Sequence, residues 1–412
     1  NDIPTYPVCD RVDPDGHDAA WYFQQAYEVA TYAIDNPGPY GLQPTYYDVN
    51  VGTNDRNSEV MLYADHTQTS EFYNAGSLSY GSGGAPDNFA HWMLTWNYTN
   101  LRALSPDGGS FDPIGREAAQ GYGRPWTRMA PTHEAIAMFT DKSKDSRFDG
   151  TFTTVLRANW AKSGKNFDYA VVANKMQVKD GEPILKFLWE ETPGVVYPEG
   201  GGQSNVGAGE LPGESAYVVN PSGVSRLVYP IIWKIGCYRT DNGAGLGQPN
   251  AGSTRPYPIA KFSEFYFIAA EAAVKGANTT SGKTAYDLIN VIRERAGKWS
   301  FSNAENMAVT ADYSDELVAA TPKDIDIDYI LDERLREYYG EGQRWFELVR
   351  TQTWAERAAT FTICGDGLGD HKKIEGKRDI EKYLYLRPIP TGQIDGMEMS
   401  EEEKAAYQNP GY

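Results

Sequence analysis

The residues best placed to do chemistry begin with His133-Glu134-Ala135-Ile136-Ala137. A zinc-protease helix needs a second histidine four residues on, so that both imidazoles share one face, and Ala137 stands there instead. The other histidines, His17, His66, His91 and His371, are scattered, and the chain has neither a Gly-x-Ser-x-Gly elbow nor a phosphate-binding loop. Hydrolytic and nucleotide chemistry therefore lack their usual residues. A glycosidase pair of carboxylates is defined by distance in space, and no pair stands out in sequence. Asp10, Asp13, Asp15 and Asp18, set around Gly16, resemble a calcium loop, since close carboxylates about a glycine turn can wrap a hard cation. The downstream glutamate of an EF-hand is missing, and the plainer reading is a solvated acidic turn that caps the next helix. Cys9, Cys237 and Cys364 lie too far apart for a zinc or redox pair.

Aromatic residues are the more informative set. The chain has 28 Tyr and 10 Trp against 15 Phe, so rings with an apolar face and a polar edge are over-supplied. Such rings suit surfaces that stack on sugars or peptides as well as wet cores. A net charge of -18 argues against nucleic-acid binding, which requires clustered cations. With 412 residues, 41% of them apolar, the chain can bury a large core, and no stretch approaches a membrane-spanning run.

The elements that must position these residues fall into three groups. Phe23, Ala26, Ala30 and Ala33 predict a helix over 19–34, with Asp18 as N-cap and Asp35-Asn36-Pro37-Gly38 as stop. Ser58 to Tyr63 reads as a short strand. Residues 67–130 and 192–254 read as irregular loop inserts, the second most simply a surface excursion. From Ile259 the pattern turns helical: Ile259, Phe262, Tyr266, Ala269 and Ala273 predict one helix ending at Gly276. A second is predicted over 284–296, and a third from Pro322 to Gly340. The first two read as an antiparallel hairpin of the tetratricopeptide sort. Glu333, Glu337 and Glu341 interleave with Arg334, Arg336 and Arg344, a spacing that predicts ion pairs between helical turns.

That charged stretch, Asp332-Glu333-Arg334-Leu335-Arg336-Glu337-Tyr338-Tyr339-Gly340-Glu341-Gly342-Gln343-Arg344-Trp345-Phe346-Glu347-Leu348-Val349-Arg350, closely resembles the signature of SusD/RagB proteins. Upstream, Tyr266 to Ala273 with Asn290, Ile292-Arg293 and Arg295-Ala296-Gly297 is similar to the family's preceding helical pair. Downstream, Tyr385-Leu386-Arg387-Pro388-Ile389-Pro390 and Asn409-Pro410-Gly411-Tyr412 are similar to its end. Toward the start the resemblance is weaker, through Trp21 to Tyr40, Ser58-Glu59-Val60, Pro131-Thr132 and Asp145-Ser146-Arg147. Residues 1–412 are accordingly expected to be the C-terminal portion of a single domain of that family, lacking roughly its first third, with 259–350 as the helical signature region.

The resemblance implies a mainly α fold, in which tetratricopeptide-like hairpins form an α-α superhelical scaffold with long irregular loop inserts and a few short strands. It also implies a non-catalytic lipoprotein at the cell surface, on the outer membrane. Such a protein captures oligosaccharide or, in some branches, peptide and delivers it to a SusC-like TonB-dependent transporter. Membrane contact would then run through a lipid anchor outside this chain. Trp345, Phe346 and Leu348 would anchor a helix, and Glu333, Glu337, Arg344 and Arg350 would tie helices together. Ligand contacts are expected on the irregular loops, from Trp92, Trp96, Tyr98 and Trp126 with Tyr80 and Tyr122 beside them. The plain alternative for Trp92 and Trp96 is two inward positions of one helical turn. A second, lesser cluster is Tyr197, Tyr217 and Tyr229.

Overall fold

The computed structural model describes residues 13, 15–66, 93–126, 129–236, 245–247, 255–301, 306–365, 367 and 369–412. Within them, twelve α-helices and fifteen short strands follow one another. The helix Ala19–Asp35 begins where the Asp18 side chain accepts the N–H of Trp21 at 2.9 Å. Ala285–Gly297 starts with a full capping box, Thr284 and Asp287 each accepting the other's backbone N–H. Ile327–Tyr338 starts where Asp326 accepts from Tyr329. The chain then turns at Gly340, whose φ is +81° and where a Cβ would run into Ile232.

The helix expected from Ile259 starts four residues later. Tyr257–Lys261 is a strand paired antiparallel with Val60–Ala64, and the helix is Ser263–Val274. Pro256 and Pro258 are the cause, since each holds the residue before it extended and Pro258 cannot donate to a helical ladder. Ile259 consequently lies 50% exposed. Ser263–Val274 packs between Ala19–Asp35 and Ala285–Gly297, with Ala269, Ala270 and Ala272 buried so that the backbones approach closely. Tyr27 fills the seam and donates its hydroxyl proton to the Lys283 carbonyl at 2.8 Å.

A second core is built on strands. These are more numerous than expected, because pieces of two to five residues are too short to show an alternating pattern. The part of the second insert up to residue 236 is no surface excursion: Val206, Ala208, Tyr217, Val219, Tyr229 and Ile231 lie in one buried cluster with Leu156 and Leu185. In the three-stranded sheet, Pro183–Phe187 pairs antiparallel with Val155–Arg157 and parallel with Tyr217–Val219. Leu156, Leu185 and Tyr217 are in register on its core face. Val155, Arg157 and Lys186 point the other way.

Between the cores runs a buried ionic network. Glu333 meets Arg293 at 2.5 Å, Arg147 at 2.8 Å and Arg336 at 3.1 Å. Arg147 also holds Asp145 at 2.6 Å, and Arg295 joins Glu59 to Glu337. Glu341 takes Lys234 and Lys261 at 2.7 and 2.9 Å. Arg350 pairs with Glu271 on Ser263–Val274, and Arg344, whose ion pair with Glu347 stays within its own helix, crosses to Ile327–Tyr338 by donating to the Leu331 carbonyl at 2.7 Å, so the signature cations do tie helices together. Leu348 is buried as expected, but Phe346 is 66% exposed and anchors nothing, because it lies on the outer side of a seven-residue helix, Arg344–Arg350. Burial alone would raise the Glu333 pKa, yet Arg147, Arg336 and Arg293 outweigh it and hold the carboxyl far below its usual range. Its contribution to stability is thus full above the unfolded value near 4.5 and is lost as pH falls toward the folded value. Glu333→Gln should destabilise the chain by about 3–5 kcal/mol at pH 7, because it leaves buried guanidinium groups uncompensated. The loss is read from urea unfolding and should shrink in acid, where wild-type Glu333 itself takes up a proton.

Candidate functional site

Of the aromatic residues expected to meet a ligand, Trp96, Tyr98 and Tyr122 come together, but inside the strand core. Trp96 meets Tyr98 edge-on at 6.5 Å, and Tyr98 meets Tyr122 at 5.7 Å. The two tyrosine hydroxyls are satisfied within the fold, Tyr98 donating to the Gly123 carbonyl at 2.9 Å and Tyr122 to that of Arg157 at 3.1 Å. They offer no open face and serve as packing. Trp126 remains at the surface, 48% exposed, with the Arg124 guanidinium 4.2 Å from its ring centre. Tyr80 and Trp92 lie outside the described residues. In the lesser cluster, Tyr217 and Tyr229 are buried and Tyr197 packs against His371 at 3.8 Å.

The acidic turn behaves as a helix start. The Asp13 carboxylate accepts the N–H groups of Asp15 and His17 at 3.1 and 2.7 Å and meets the His17 ring at 2.8 Å, while Asp18 is taken up as the cap. Asp13, Asp15 and His17 bring ligand-type atoms within 4.8 Å of one another, and Asp10 lies outside the described residues.

The arrangement best suited to a small polar ligand was missed in the sequence. On the outer face of the three-stranded sheet lies an open cavity of about 530 Å³, whose lining includes Arg157, Lys186, Leu188, Trp189, Glu190 and Glu214. The strands fix it: with Leu156 and Leu185 directed into the core, Val155, Arg157 and Lys186 share the opposite face, Val155 buried in the lining and Arg157 and Lys186 half-buried. Lys186 is paired with Glu214 at 2.8 Å. One ring among ion-paired and carboxylate groups can hold an apolar face of a ligand and exchange hydrogen bonds with its edge. The available signal was Trp189-Glu190-Glu191-Thr192-Pro193-Gly194, a tryptophan closing an apolar run just before an acidic turn.

Trp189 is held by what lies behind it. Its indole N–H donates to Asp149 Oδ2 at 2.6 Å, and its ring meets Trp299 edge-on at 5.6 Å. Asp149 is fully buried and accepts the Thr154 hydroxyl on its other oxygen at 2.5 Å. Burial pushes its pKa from 3.8 up to about 7, against the opposing bonds from Thr154, Trp189 and the Met307 backbone. A raised carboxyl pKa means the protonated form favours folding: this contribution is full below about pH 4 and is lost as pH rises through 7. Asp149→Asn keeps an acceptor for the indole and a donor for Thr154 without a charge. It should flatten the pH dependence between about 4 and 7 and be the more stable protein at pH 8, by at most about 4 kcal/mol. Melting curves across that range check this, and parallel curves for the two proteins would exclude a titrating Asp149.

No curated protein sequence matches the chain. Surface glycan-binding protein A from Bacteroides thetaiotaomicron, solved in complex with laminarihexaose, superposes with a TM-score of 0.50 at 15% identity, covering 95% of this chain and 60% of that one. The corresponding protein from Bacteroides fluxus gives 0.47 at 16%, over 95% and 59%. A laminarin-binding SusD-like protein gives 0.45 at 17%, over 95% and 60%. The chain thus spans about three fifths of the length of these structures, and at such identities the likeness concerns the fold. A sequence model of the SusD family matches residues 95–412, well over half of the chain, and the chain therefore belongs to the SusD family.

Proposed function

We propose that this chain is the glycan-holding portion of a cell-surface SusD-family protein, binding an oligosaccharide in the Trp189 cavity without breaking a bond. The observation that carries the reading is the locked indole of Trp189 in an open cavity edged by Lys186, Glu190 and Glu214. Such a ring stacks on the C–H face of a sugar while the charged groups meet its hydroxyls. Family membership supports it, as does the fold shared with a surface glycan-binding protein solved with laminarihexaose.

The rest of the role follows from the family. The oligosaccharide would pass to a SusC-like TonB-dependent transporter, with the protein held on the outer membrane by a lipid anchor outside the described residues. The hairpin of Ser263–Val274 and Ala285–Gly297, with Ala19–Asp35 on its other side, would be part of a tetratricopeptide-like superhelix.

Calorimetric titration with pooled oligosaccharides, pooled peptides and a reducing-end assay in the same tubes tests the reading. Saturable glycan binding without release of reducing ends is expected. Trp189→Ala should weaken it about tenfold or more, and Trp189→Phe, which keeps a ring, should recover most of the loss. Binding of peptides alone, or release of reducing ends, would overturn it.

A further inference from the structure

Taking the Trp189 cavity as the glycan site, we propose that it selects uncharged glycans and rejects those bearing carboxylates or sulfates. The proposal rests on that assignment and on how the charges around the cavity are disposed. Its two lining cations are engaged within the fold: Lys186 is paired with Glu214 at 2.8 Å, and Arg157 donates to the Gly181 carbonyl at 3.3 Å. Lys142 lies buried behind the rim, where burial lowers its hold on a proton and Glu190 and Glu191 partly restore it. Glu190 stands exposed on the rim itself.

A ligand entering this cavity therefore meets carboxylate oxygens, which accept hydrogen bonds from hydroxyl groups. A sugar hydroxyl satisfies that demand, whereas a uronate or sulfate brings a second negative charge and no donor at the charged position. To bind, an acidic sugar would have to draw Lys186 away from Glu214 and leave that carboxylate unpaired beside it. Discrimination of this kind works through repulsion of the wrong ligand as much as attraction of the right one. An independent feature points the same way, because the whole chain carries a net charge of -18 and repels an approaching polyanion at long range.

The test is calorimetric titration of the full chain at low and high salt. The neutral probes are hexasaccharides of glucose, xylose and mannose, and the acidic probes are an oligogalacturonate and a heparin-derived hexasaccharide. At least one neutral probe should bind in a Trp189-dependent manner, and neither acidic probe should bind. The double variant Glu190→Gln, Glu214→Gln frees Lys186 and should improve binding of an acidic probe about tenfold at low salt, with the gain fading at high salt. A melting curve of the double variant checks that it remains folded. Binding of an acidic probe to the wild type that weakens in Trp189→Ala would overturn the selectivity and keep the site. Failure to bind any probe, or binding indifferent to Trp189→Ala, would overturn the site itself.

Discussion

The buried contact between Glu333 and its three arginines is the constraint on which the rest of this molecule depends. One carboxylate draws together the Ala285–Gly297 helix through Arg293, its own helix through Arg336, and the strand body through Arg147. None of these charges is stable away from water without the others, so the helical and strand parts are held in one arrangement by mutual neutralisation. Glu337 and Glu341 repeat the device on either side, with Arg295 and with the two lysines Lys234 and Lys261.

The five-residue helix Arg147–Thr151 carries that constraint to the Trp189 cavity. Arg147 points into the network, while Asp149, two residues on, receives the indole of Trp189. The Thr151 carbonyl accepts the N–H of Trp233 at 2.7 Å and binds the neighbouring strand. A single short helix thus fixes helix packing on one side and the ring of the candidate platform on the other. The two sides respond to acid in opposite senses, since the network needs its carboxylates ionised and Asp149 favours its proton.

Much of the frame was legible because its signals are local. Asp18 as a cap, the Thr284 helix start and the glycine turn at 340 each depend on neighbours within a few residues. The signature glutamates and arginines could be assigned to a structural role for the same reason, although their principal partners proved to lie on other elements. The candidate site was not legible, because its residues come from Val155–Arg157, Pro183–Phe187 and loops on either side, and only pairing of strands too short to show a pattern unites them. The aromatic residues Trp96, Tyr98 and Tyr122 misled in the opposite direction. A tyrosine that packs in a core and one that stacks on a ligand have the same composition, and only the carbonyls of Gly123 and Arg157 reveal the first role.

The placement of the cavity on the outer face of its sheet has an evolutionary consequence. Leu156, Leu185, Phe187, Tyr217 and Val219 carry that sheet's register into the core, so the half-buried Arg157 and Lys186 on the other face can be exchanged without disturbing it. The lining of the cavity is therefore open to change in a way that the ionic frame behind it, where each charge depends on its partners, is not.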